Sequence, residues 1–428
     1  MIHNLPHLTQ KDGSLYIEDI NVNDLAEQYG TPLYVYSKNR ILENYHRMKE
    51  AFEEAGIKIK VHYAVKTNSN LSILHTLREA GAGADVASIT EIKLAQHAGF
   101  KSEDIIYSGN NNPNEELNYS LKYVDKINLD DISILPRLLQ FGKPKILSFR
   151  INPGVGKGSK GIATNVFGGK DSKFGVDPET ALYAYQMAKK EGVEKFGIHM
   201  MPGSGGLDPD FYPTVTKKLF EIAEMIATKA DIKFEFINIG GGFGIPYNHS
   251  TEKALNIEAI AKEIAEIYKD AIKNGNVGNP QLECEPGRYI VGDAGLLLAR
   301  VHTIKNSYKR FAGTDVGMNT LVRPALHGSY HAVVVANKMA QKKVQEYTFC
   351  GPICENTDQY KEPRKFPILE EGDLLSIFDT GAYGFTMAST FNNQPRPAEV
   401  MVNGSNHSLI RKRETSEDLI RPMIVPQI

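Results

Sequence analysis

From about residue 58 to residue 286 the chain repeats one pattern: a short apolar or β-branched run, a polar or glycine-containing turn, and an amphipathic segment. Such runs predict buried strands, and segments such as Ala181-Lys190 and Ile257-Lys273 have the apolar spacing of helices. Eight strands alternating with helices predict a (β/α)8 barrel of the TIM type. A doubly wound open sheet is the alternative, and the regularity of the eight units favours closure. The predicted strands are Lys58-Ala64, Ala84-Ala87, Ile105-Tyr107, Lys126-Leu129, Ile146-Ile151, Lys195-Met200, Glu235-Ile239 and Gln281-Glu285.

The last third of the chain has a different pattern. From Leu297 onward, short runs of alternating apolar residues are separated by Gly and Pro, and few long helical periods occur. This pattern predicts an all-β domain, a β-sandwich or β-barrel, to which the early runs Ser14-Ile17 and Pro32-Tyr36 could add strands. We therefore predict a barrel domain over residues 30–288 and a β domain built from residues 1–29 and 289–428. The late runs are Leu297-Ile304, Ala332-Val335, Glu346-Cys350 and Leu374-Phe378.

One long polar segment interrupts the barrel pattern. Gly154-Asp177 follows the fifth predicted strand and contains seven glycines. A connection of this length is typical of a functional loop, and we expect it to be mobile and to cover the site.

Composition excludes several classes of function. A chain of 428 residues, 41% of them hydrophobic, can form about two domains. Lys and Arg (49) nearly balance Asp and Glu (51), so there is no electrostatic basis for binding nucleic acid or an anionic membrane. The chain lacks an apolar stretch of ~18 residues and an N-terminal signal pattern, so we expect a cytoplasmic protein. Three cysteines without a CxxC pair argue against a disulfide framework and a zinc site, and we predict no metal.

Candidate chemistry begins at Lys66, where the first predicted barrel strand ends. A desolvated lysine with a lowered pKa can form a Schiff base with an aldehyde cofactor at neutral pH. In a (β/α)8 barrel, catalytic residues project from the carboxyl ends of the strands. The other predicted strand ends also carry polar residues, which are Asp85, Arg150, His199, Ser204, Glu285 and Arg288.

Two of these strand ends suit a cofactor that carries a phosphate and a pyridine ring. Gly240-Gly241-Gly242 permits close backbone approach, its N–H groups suit a phosphate, and Arg288 supplies a positive charge. Glu285 could keep a pyridine nitrogen protonated, and a pyridinium accepts electrons released from a substrate's α-carbon. The structural alternatives are a simple glycine turn, a strand-end glutamate paired with a lysine, and Arg150 paired with Asp85.

These motifs, from Tyr63-Ala64-Val65-Lys66-Thr67-Asn68 to Asp379-Thr380-Gly381-Ala382-Tyr383-Gly384, resemble those of the group III pyridoxal-phosphate-dependent decarboxylases, which have an alanine-racemase-like fold. The resemblance covers nearly the whole chain. It implies pyridoxal 5'-phosphate as cofactor, with Lys66 as the Schiff-base lysine and Asp85 supporting it. The other implied cofactor contacts are Arg150, Met201, Ser204, Gly241, Gly242, Glu285, Arg288 and Tyr383.

The β domain carries most of the residues that the resemblance assigns to the substrate. Cys354, in Gly351-Pro352-Ile353-Cys354-Glu355, would return a proton to the α-carbon. Arg323 and Glu355 would bind a distal carboxylate and amine. The further implied substrate contacts are Arg288, His327 and Tyr383. The implied reaction is decarboxylation of meso-2,6-diaminopimelate to L-lysine and CO2 in lysine biosynthesis, by a homodimer with active sites shared between subunits.

Several positions depart from the family pattern. Met201 stands where the family motif His-x-Gly-Ser has a histidine stacked on the cofactor, and its polarizable sulfur can still contact an aromatic face. His199 lies two residues earlier and one layer deeper, so it is not assumed to replace that histidine. His327 replaces a tyrosine and Asn356 a small residue, and both changes concern the distal end of the substrate.

Three other functions remain open at this point. A related decarboxylase could act on ornithine, lysine, arginine or a carboxylated polyamine, but Arg323 with Glu355 favours a substrate with a distal carboxylate and amine. A racemase is disfavoured because alanine racemases place an arginine where this chain has Glu285. A non-enzymatic cofactor-binding homologue is disfavoured because such proteins tend to lack the second domain or the cysteine.

Overall fold

The structure is a computed structural model that describes residues 5–156, 166–360 and 362–426. The chain divides into two compact units. The first comprises Met1–Ile41, Pro246–Glu252 and Val291–Ile428, and the second comprises Leu42–Ile245 and Lys253–Ile290. Residues 157–165, the middle of the predicted mobile loop, lie outside the described residues.

The second unit is built on a closed barrel of eight parallel strands. Each strand pairs with its neighbours in chain order, and the last barrel strand closes the ring against the first. The predicted barrel fold is therefore confirmed. Strands are numbered in chain order, and the N-terminal part of the first unit contains β1 (Leu8–Lys11), β2 (Ser14–Ile17), β3 (Ile20–Asn21) and β4 (Leu33–Ser37). The barrel strands are β5 (Ile59–Ala64), β6 (Gly83–Val86), β7 (Ile105–Tyr107), β8 (Lys126–Leu129), β9 (Ile146–Ile151), β10 (Phe196–Met200), β11 (Phe234–Asn238) and β12 (Gln281–Cys284).

Amphipathic helices connect the barrel strands. In Ile257–Asn274, buried residues recur three and four positions apart. This helix begins at the side-chain cap of Asn256 and ends at Gly275 in the left-handed conformation. The helices are α1 (Val22–Tyr29), α2 (Lys38–Glu54), α3 (Leu71–Glu79), α4 (Ile89–His97), α5 (Asn114–Tyr123), α6 (Ile134–Leu139), α7 (Pro178–Lys190), α8 (Phe211–Ala230), α9 (Ile257–Asn274), α10 (Arg288–Val291), α11 (Arg323–His327) and α12 (Ser416–Ile420).

A buried ion cluster lies inside the barrel, one layer below the carboxyl end of β12. The carboxylate of Glu283 lies 3.0 Å from His62 Nε2 and is also paired with the ammonium of Lys126. Burial alone raises the pKa of Glu283, but His62 and Lys126 outweigh burial and lower it. Removing one partner of such a cluster leaves an unpaired buried charge, which costs about 3–5 kcal/mol.

The first unit contains a nine-stranded sheet and a separate sheet of three strands, β1-β2-β3. In the large sheet, β4 pairs antiparallel with Gly295–Asn306 and parallel with Ala398–Asn403, so an N-terminal strand lies between two C-terminal ones. The remaining strands are β13 (Gly295–Asn306), β14 (Arg310–Thr314), β15 (Val333–Val335), β16 (Gln345–Cys350), β17 (Arg364–Phe366), β18 (Leu374–Ile377), β19 (Ala398–Asn403) and β20 (Asn406–Arg411).

The N-terminal boundary differs from the one predicted. The predicted barrel domain began at residue 30, but the first unit extends to Ile41 and also takes up Pro246–Glu252. The physical reason is the pairing of β4 with β13 and β19, which draws the N-terminal strand into the first unit's sheet. Both early runs do form strands of this unit, as β2 and β4.

The described part of the chain lacks one feature typical of membrane-spanning proteins and one typical of metal-binding proteins. Within the described residues, no helix combines the length and the apolar composition needed to cross a membrane. In the same residues, no group of three His, Cys, Asp or Glu side chains is arranged to hold a metal ion.

Candidate active site

Lys66 and Asp85 form an ion pair at the carboxyl end of the barrel. Lys66 lies in a 3-10 helix, Val65–Thr67, directly after β5. Asp85 lies on the next strand, where it is the register partner of Ala64. The Lys66 ammonium donates a hydrogen bond to Asp85 Oδ2, and the Asp85 side chain is fully buried while that of Lys66 is 42% exposed. The pair thus holds an accessible amine at a defined position.

The surroundings of Asp85 affect whether its buried carboxyl group is ionised. Burial raises the pKa of Asp85, the charge of Glu285 raises it further, and Lys66 opposes both effects. Its second oxygen, Oδ1, has no hydrogen-bond partner among the described residues. Lys66, and to a smaller extent His199 when it is protonated, therefore favours the ionised form of this buried carboxyl group.

Glu285 follows β12 and is held by two side chains. Asn238 Nδ2 lies 2.9 Å from Oε1, and His199 Nε2 lies 3.0 Å from Oε2. Burial by itself raises the pKa of Glu285, but His199, through its charge when it is protonated and through its hydrogen bond, together with Lys66, lowers the pKa to about 2. Glu285 is therefore a carboxylate at any physiological pH, and its oxygens are fixed in direction.

His199 is a buried histidine with a partner on each ring nitrogen. Its Nε2 faces Glu285, and its Nδ1 lies 3.2 Å from Asn128 Nδ2. The sequence did not indicate that His199 replaces the stacking histidine of the family motif, and both of its ring nitrogens have partners inside the barrel. The ring instead joins two polar groups inside the barrel.

The turn after β11 can be made only with glycines. Gly240 and Gly242 have φ of +73° and +88°, values that other residues adopt at a cost. A Cβ on Gly241 would overlap the carbonyl oxygen of Glu285. Opposite this turn, Arg288 Nη2 donates to Ser204 Oγ at 3.4 Å, and both side chains are buried.

These groups fit pyridoxal phosphate. Its aldehyde requires an amine, which Lys66 presents, and its phosphate requires donors, which Ser204, Arg288 and the glycine turn supply. Its pyridine nitrogen requires an ionised partner, and Glu285 is one. All of these groups follow strands at the same end of one barrel, which is where barrel enzymes carry their active sites.

Arg150 and Met201 lie beside the same strand ends. Arg150 Nη2 donates to the Met201 carbonyl at 3.2 Å, and its guanidinium lies 3.8 Å from Asp130 and 4.3 Å from the centre of the Phe174 ring. Burial lowers the pKa of Arg150, and Asp130 opposes that effect. Arg150 and Asp85 therefore do not need each other as partners, because each has another ion of opposite charge. The Met201 sulfur accepts from Gly241 N–H at 3.1 Å.

Arg323 belongs to the first unit, where it begins the short helix α11. It is 4% exposed, and its guanidinium donates to Ser329 Oγ at 3.3 Å and to His331 Nε2 at 3.4 Å. It also lies 4.9 Å from the centre of the Tyr247 ring. His327, at the other end of the same helix, is half-buried. The hydroxyl, the imidazole and the aromatic face thus orient the arginine.

The predicted proton donor Cys354 lies in an exposed loop of the first unit. Its thiol lies 3.3 Å from Asn392 Oδ1, and the neighbouring Glu355 accepts from Thr357 N–H at 3.3 Å. Asn392 has the left-handed backbone conformation, with φ of +56°. Tyr383 also has a positive φ, +55°, and such a residue persists only where its surroundings hold it.

A buried histidine–aspartate pair holds the turn that leads to Tyr383. His249 Nε2 lies 2.8 Å from Asp379 Oδ2, and both side chains are at most 1% exposed. Burial raises the pKa of Asp379 to about 6, although His249 opposes the shift. Burial lowers the pKa of His249, but Asp379 outweighs burial and raises it.

Sequence reasoning did not identify several of these contributors. Asn128 and Asn238 each occupy a strand position whose side chain points into the barrel, and a polar residue at such a position was an available signal. His249, Asp379 and Asn392 carried no comparable signal, because their partners lie far away in the sequence.

Known proteins resemble this chain over nearly its full length. A family model described as "Pyridoxal-dependent decarboxylase, pyridoxal binding domain" matches residues 38–292. The diaminopimelate decarboxylase of Methanothermobacter thermautotrophicus is 43% identical over 97% of this chain and 96% of its own length. That of Archaeoglobus fulgidus is 39% identical over 97% and 98%.

Solved structures agree with these sequence relatives. Diaminopimelate decarboxylase from M. jannaschii in complex with L-lysine is 34% identical, covers 99% of this chain and 98% of its own, and has a TM-score of 0.88. The Helicobacter pylori enzyme complexed with L-lysine is 33% identical, covers 94% and 99%, and has a TM-score of 0.86. Since both the family model and relatives above 30% identity span most of the chain, it belongs to the diaminopimelate decarboxylase family of pyridoxal-phosphate-dependent decarboxylases.

Proposed function

We propose that this chain removes one carboxylate of meso-2,6-diaminopimelate as CO2 and forms L-lysine, with pyridoxal phosphate as cofactor. The observation that carries the proposal is the arrangement at one barrel end of the Lys66–Asp85 pair and the ionised Glu285. The relatives that match nearly the whole chain are diaminopimelate decarboxylases, and two solved ones hold L-lysine, the product of this reaction.

Each barrel residue has a proposed role toward the cofactor. Lys66 would hold its aldehyde carbon, and Asp85 would keep that amine oriented. Ser204 and Arg288 would bind the phosphate together with the backbone of Gly241 and Gly242. Arg150 would approach the ring oxygen of the cofactor, and Met201 would lie beside the cofactor ring. Tyr383, a residue of the first unit, would also contact the cofactor.

Glu285 has the role that determines the type of reaction. When bound, pyridoxal phosphate supplies an electron sink for the pair left on the α-carbon as CO2 departs. A carboxylate with a pKa of about 2 keeps a proton on a facing pyridine nitrogen, because the two opposite charges stabilise each other. This arrangement favours decarboxylation over racemisation.

The proposed substrate contacts lie in the first unit. Cys354 would donate a proton to the α-carbon after CO2 leaves, and its side chain is exposed and so available to a substrate. Arg323 and Glu355 would bind the distal carboxylate and ammonium, while His327 would lie near the same carboxylate. The buried Arg323 lies beside Ser329, His331 and the Tyr247 ring, and a guanidinium can bind a carboxylate through two parallel hydrogen bonds.

We also propose a homodimer in which the loop bearing Cys354 serves the partner's barrel, and a cytoplasmic location. The exposure of Cys354 and Glu355 in the single chain supports the shared site. A loop that presents a thiol and a carboxylate to solvent would be completed by a second copy.

The test is CO2 release across a panel of amino acids, measured with added pyridoxal phosphate and with lysine formation as a second readout. The panel contains meso-diaminopimelate, lysine, ornithine and arginine. We expect kcat/KM for diaminopimelate to exceed the others by roughly 10⁴-fold, because a site built for a polar group rejects analogues that leave it unpaired. Comparable values for ornithine would assign the related decarboxylase activity instead. The Lys66→Ala variant provides the background rate.

A further inference from the structure

We propose that Asn128 is a positioning residue that fixes the ring of His199 so that its Nε2–H faces Glu285. Asn128 lies on β8, His199 on β10 and Glu285 after β12, so the three side chains meet across the barrel interior. The role of Asn128 is indirect, since it acts through the histidine ring.

The three side chains form one buried line of polar contacts. Asn128 is 2% exposed, His199 1% and Glu285 5%. Asn128 Nδ2 lies 3.2 Å from His199 Nδ1, and His199 Nε2 lies 3.0 Å from Glu285 Oε2. Ser148 extends the line, because its hydroxyl donates to Asn128 Oδ1 at 2.7 Å. No water is needed to connect these groups.

The donors and acceptors along the line determine the position of the ring proton. An ionised carboxylate only accepts, so His199 must donate to Glu285 from Nε2. In the neutral form of the ring, which has one donor and one acceptor, Nδ1 then accepts. The group that faces Nδ1 must be a donor, and the NH2 group of Asn128 is one. In this orientation of the amide, the Ser148 hydroxyl donates to the amide oxygen, so both ends of the Asn128 side chain have a partner.

The position of the ring proton affects the orientation of the Glu285 carboxylate. Two donors, Asn238 and His199, fix its two oxygens. If the histidine carried its proton on Nδ1 instead, Nε2 and the carboxylate would be two acceptors 3.0 Å apart, and Glu285 would have to turn away. The effect on the cofactor's pyridine nitrogen rests on the proposed function, whereas the position of the ring proton does not.

The substitution Asn128→Asp replaces the NH2 donor that faces His199 Nδ1 with a carboxylate oxygen, an acceptor, and keeps the size of the side chain. A carboxylate at this position accepts from Nδ1, while Glu285 still accepts from Nε2, so the ring is expected to carry two protons. Asp85 and Asp130 are the other carboxyl groups that interact with the charge of His199, and the variant leaves both unchanged. A doubly protonated His199 would compete with a pyridine nitrogen for Glu285.

The experiment is long-range ¹H–¹⁵N NMR of the full chain with ¹⁵N-labelled histidine and bound pyridoxal phosphate at pH 8. The His199 signals are assigned by their loss in His199→Gln. We expect a single ring proton on Nε2 in the unmodified chain, and protons on both nitrogens in Asn128→Asp. His62, which faces Glu283 in the layer below, serves as an internal control and should not change.

Two results would overturn the proposal. One is a proton on Nδ1 of His199 in the unmodified chain, a measurement that stands even if the variant does not fold. The other is an Asn128→Asp spectrum identical to that of the unmodified chain. In steady-state assays we expect the variant to lower kcat by about 10-fold with little change in KM, the scale found when a group that orients a functional ligand is lost. If the Nε2–H form is found but the chain decarboxylates no amino acid, the proposed function fails and the role of Asn128 stands.

Discussion

The ammonium of Lys66, which follows β5, is paired with the carboxylate of Asp85 on β6, although the two side chains differ in exposure, 42% against 0%. The pairing places a reactive amine beside a fully buried charge. Since burial and Glu285 both raise the pKa of Asp85, Lys66 makes the largest opposing contribution. This relationship leads to the first prediction.

Borohydride reduction of the holoenzyme should fix the cofactor on Lys66. The amine stands after β5, and the glycine turn and Arg288 follow β11 and β12 at the same end of the barrel, which suits a cofactor that carries both an aldehyde and a phosphate. Peptide mapping by mass spectrometry checks the site. Lys60→Ala is a matched control, because Lys60 lies on the same strand but is paired with Asp104. A label on any other lysine would contradict the assigned site.

Cys354→Ala should lower kcat by about 10²–10⁴-fold, the range for a lost general acid, while cofactor binding stays nearly unchanged. Steady-state kinetics and the absorbance of bound cofactor provide the two readouts. Cys350→Ala is the control, because Cys350 lies on β16 and is only partly exposed.

The shared-site homodimer makes a separate prediction. Mixing inactive Lys66→Ala and Cys354→Ala chains should restore part of the activity, because exchanged dimers contain one site with both residues. Subunit exchange is verified with differently tagged chains. Verified exchange without any recovery would mean that each site is made within one chain.

Glu285→Gln should lower kcat by about 10²-fold at every pH from 5 to 9, the scale for removing one preorganised charge. The folded-state pKa of Glu285, about 2, lies below the ordinary value of about 4.3, so the carboxylate is ionised throughout that range and contributes stability that is lost only as pH falls toward 2. A kcat–pH profile of both proteins tests this. An acidic limb that disappears in the variant would be inconsistent with the low pKa.

Thermal stability should fall as pH rises above about 6.5, and His249→Asn should reduce this dependence. The pKa of His249 is raised by Asp379, so its contribution is complete below the unfolded-state value and is lost as pH rises through the folded-state value. Asp379, with a pKa of about 6, is mostly ionised throughout this window, and the nearby Asp293 and Glu252 are present in both proteins.

The measurement is the unfolding midpoint by circular dichroism between pH 6.5 and 9. His302→Asn is the control, because His302 is 60% exposed and lies 3.6 Å from its carboxylate partner. Near pH 6.5 we expect the His249→Asn variant to be less stable by about 2 kcal/mol, the scale of a hydrogen bond to a charged group. Equal pH slopes in the variant and the unmodified chain would show that the pair does not contribute in this way.

The sequence by itself determined the barrel and the placement of its chemistry. Strand runs such as Ile105–Tyr107, Lys126–Leu129 and Ile146–Ile151 have the bounds that were predicted, because a short buried run between turn residues has few other structures available. Residues that follow such runs, Lys66 and Glu285 among them, must then lie at one end of a parallel barrel. Local pattern is sufficient for both conclusions.

Only the tertiary structure decided which of these groups are partners. Asp85 pairs with Lys66 rather than with Arg150, and His199 joins Asn128 to Glu285, because strand register and ring closure set the distances between residues far apart in the chain. The same holds for β4, whose run was recognised but whose place between β13 and β19 depends on pairing with strands more than 200 residues away in sequence. Local periodicity carries no information about such long-range contacts, since they depend on how the whole chain buries its apolar surface.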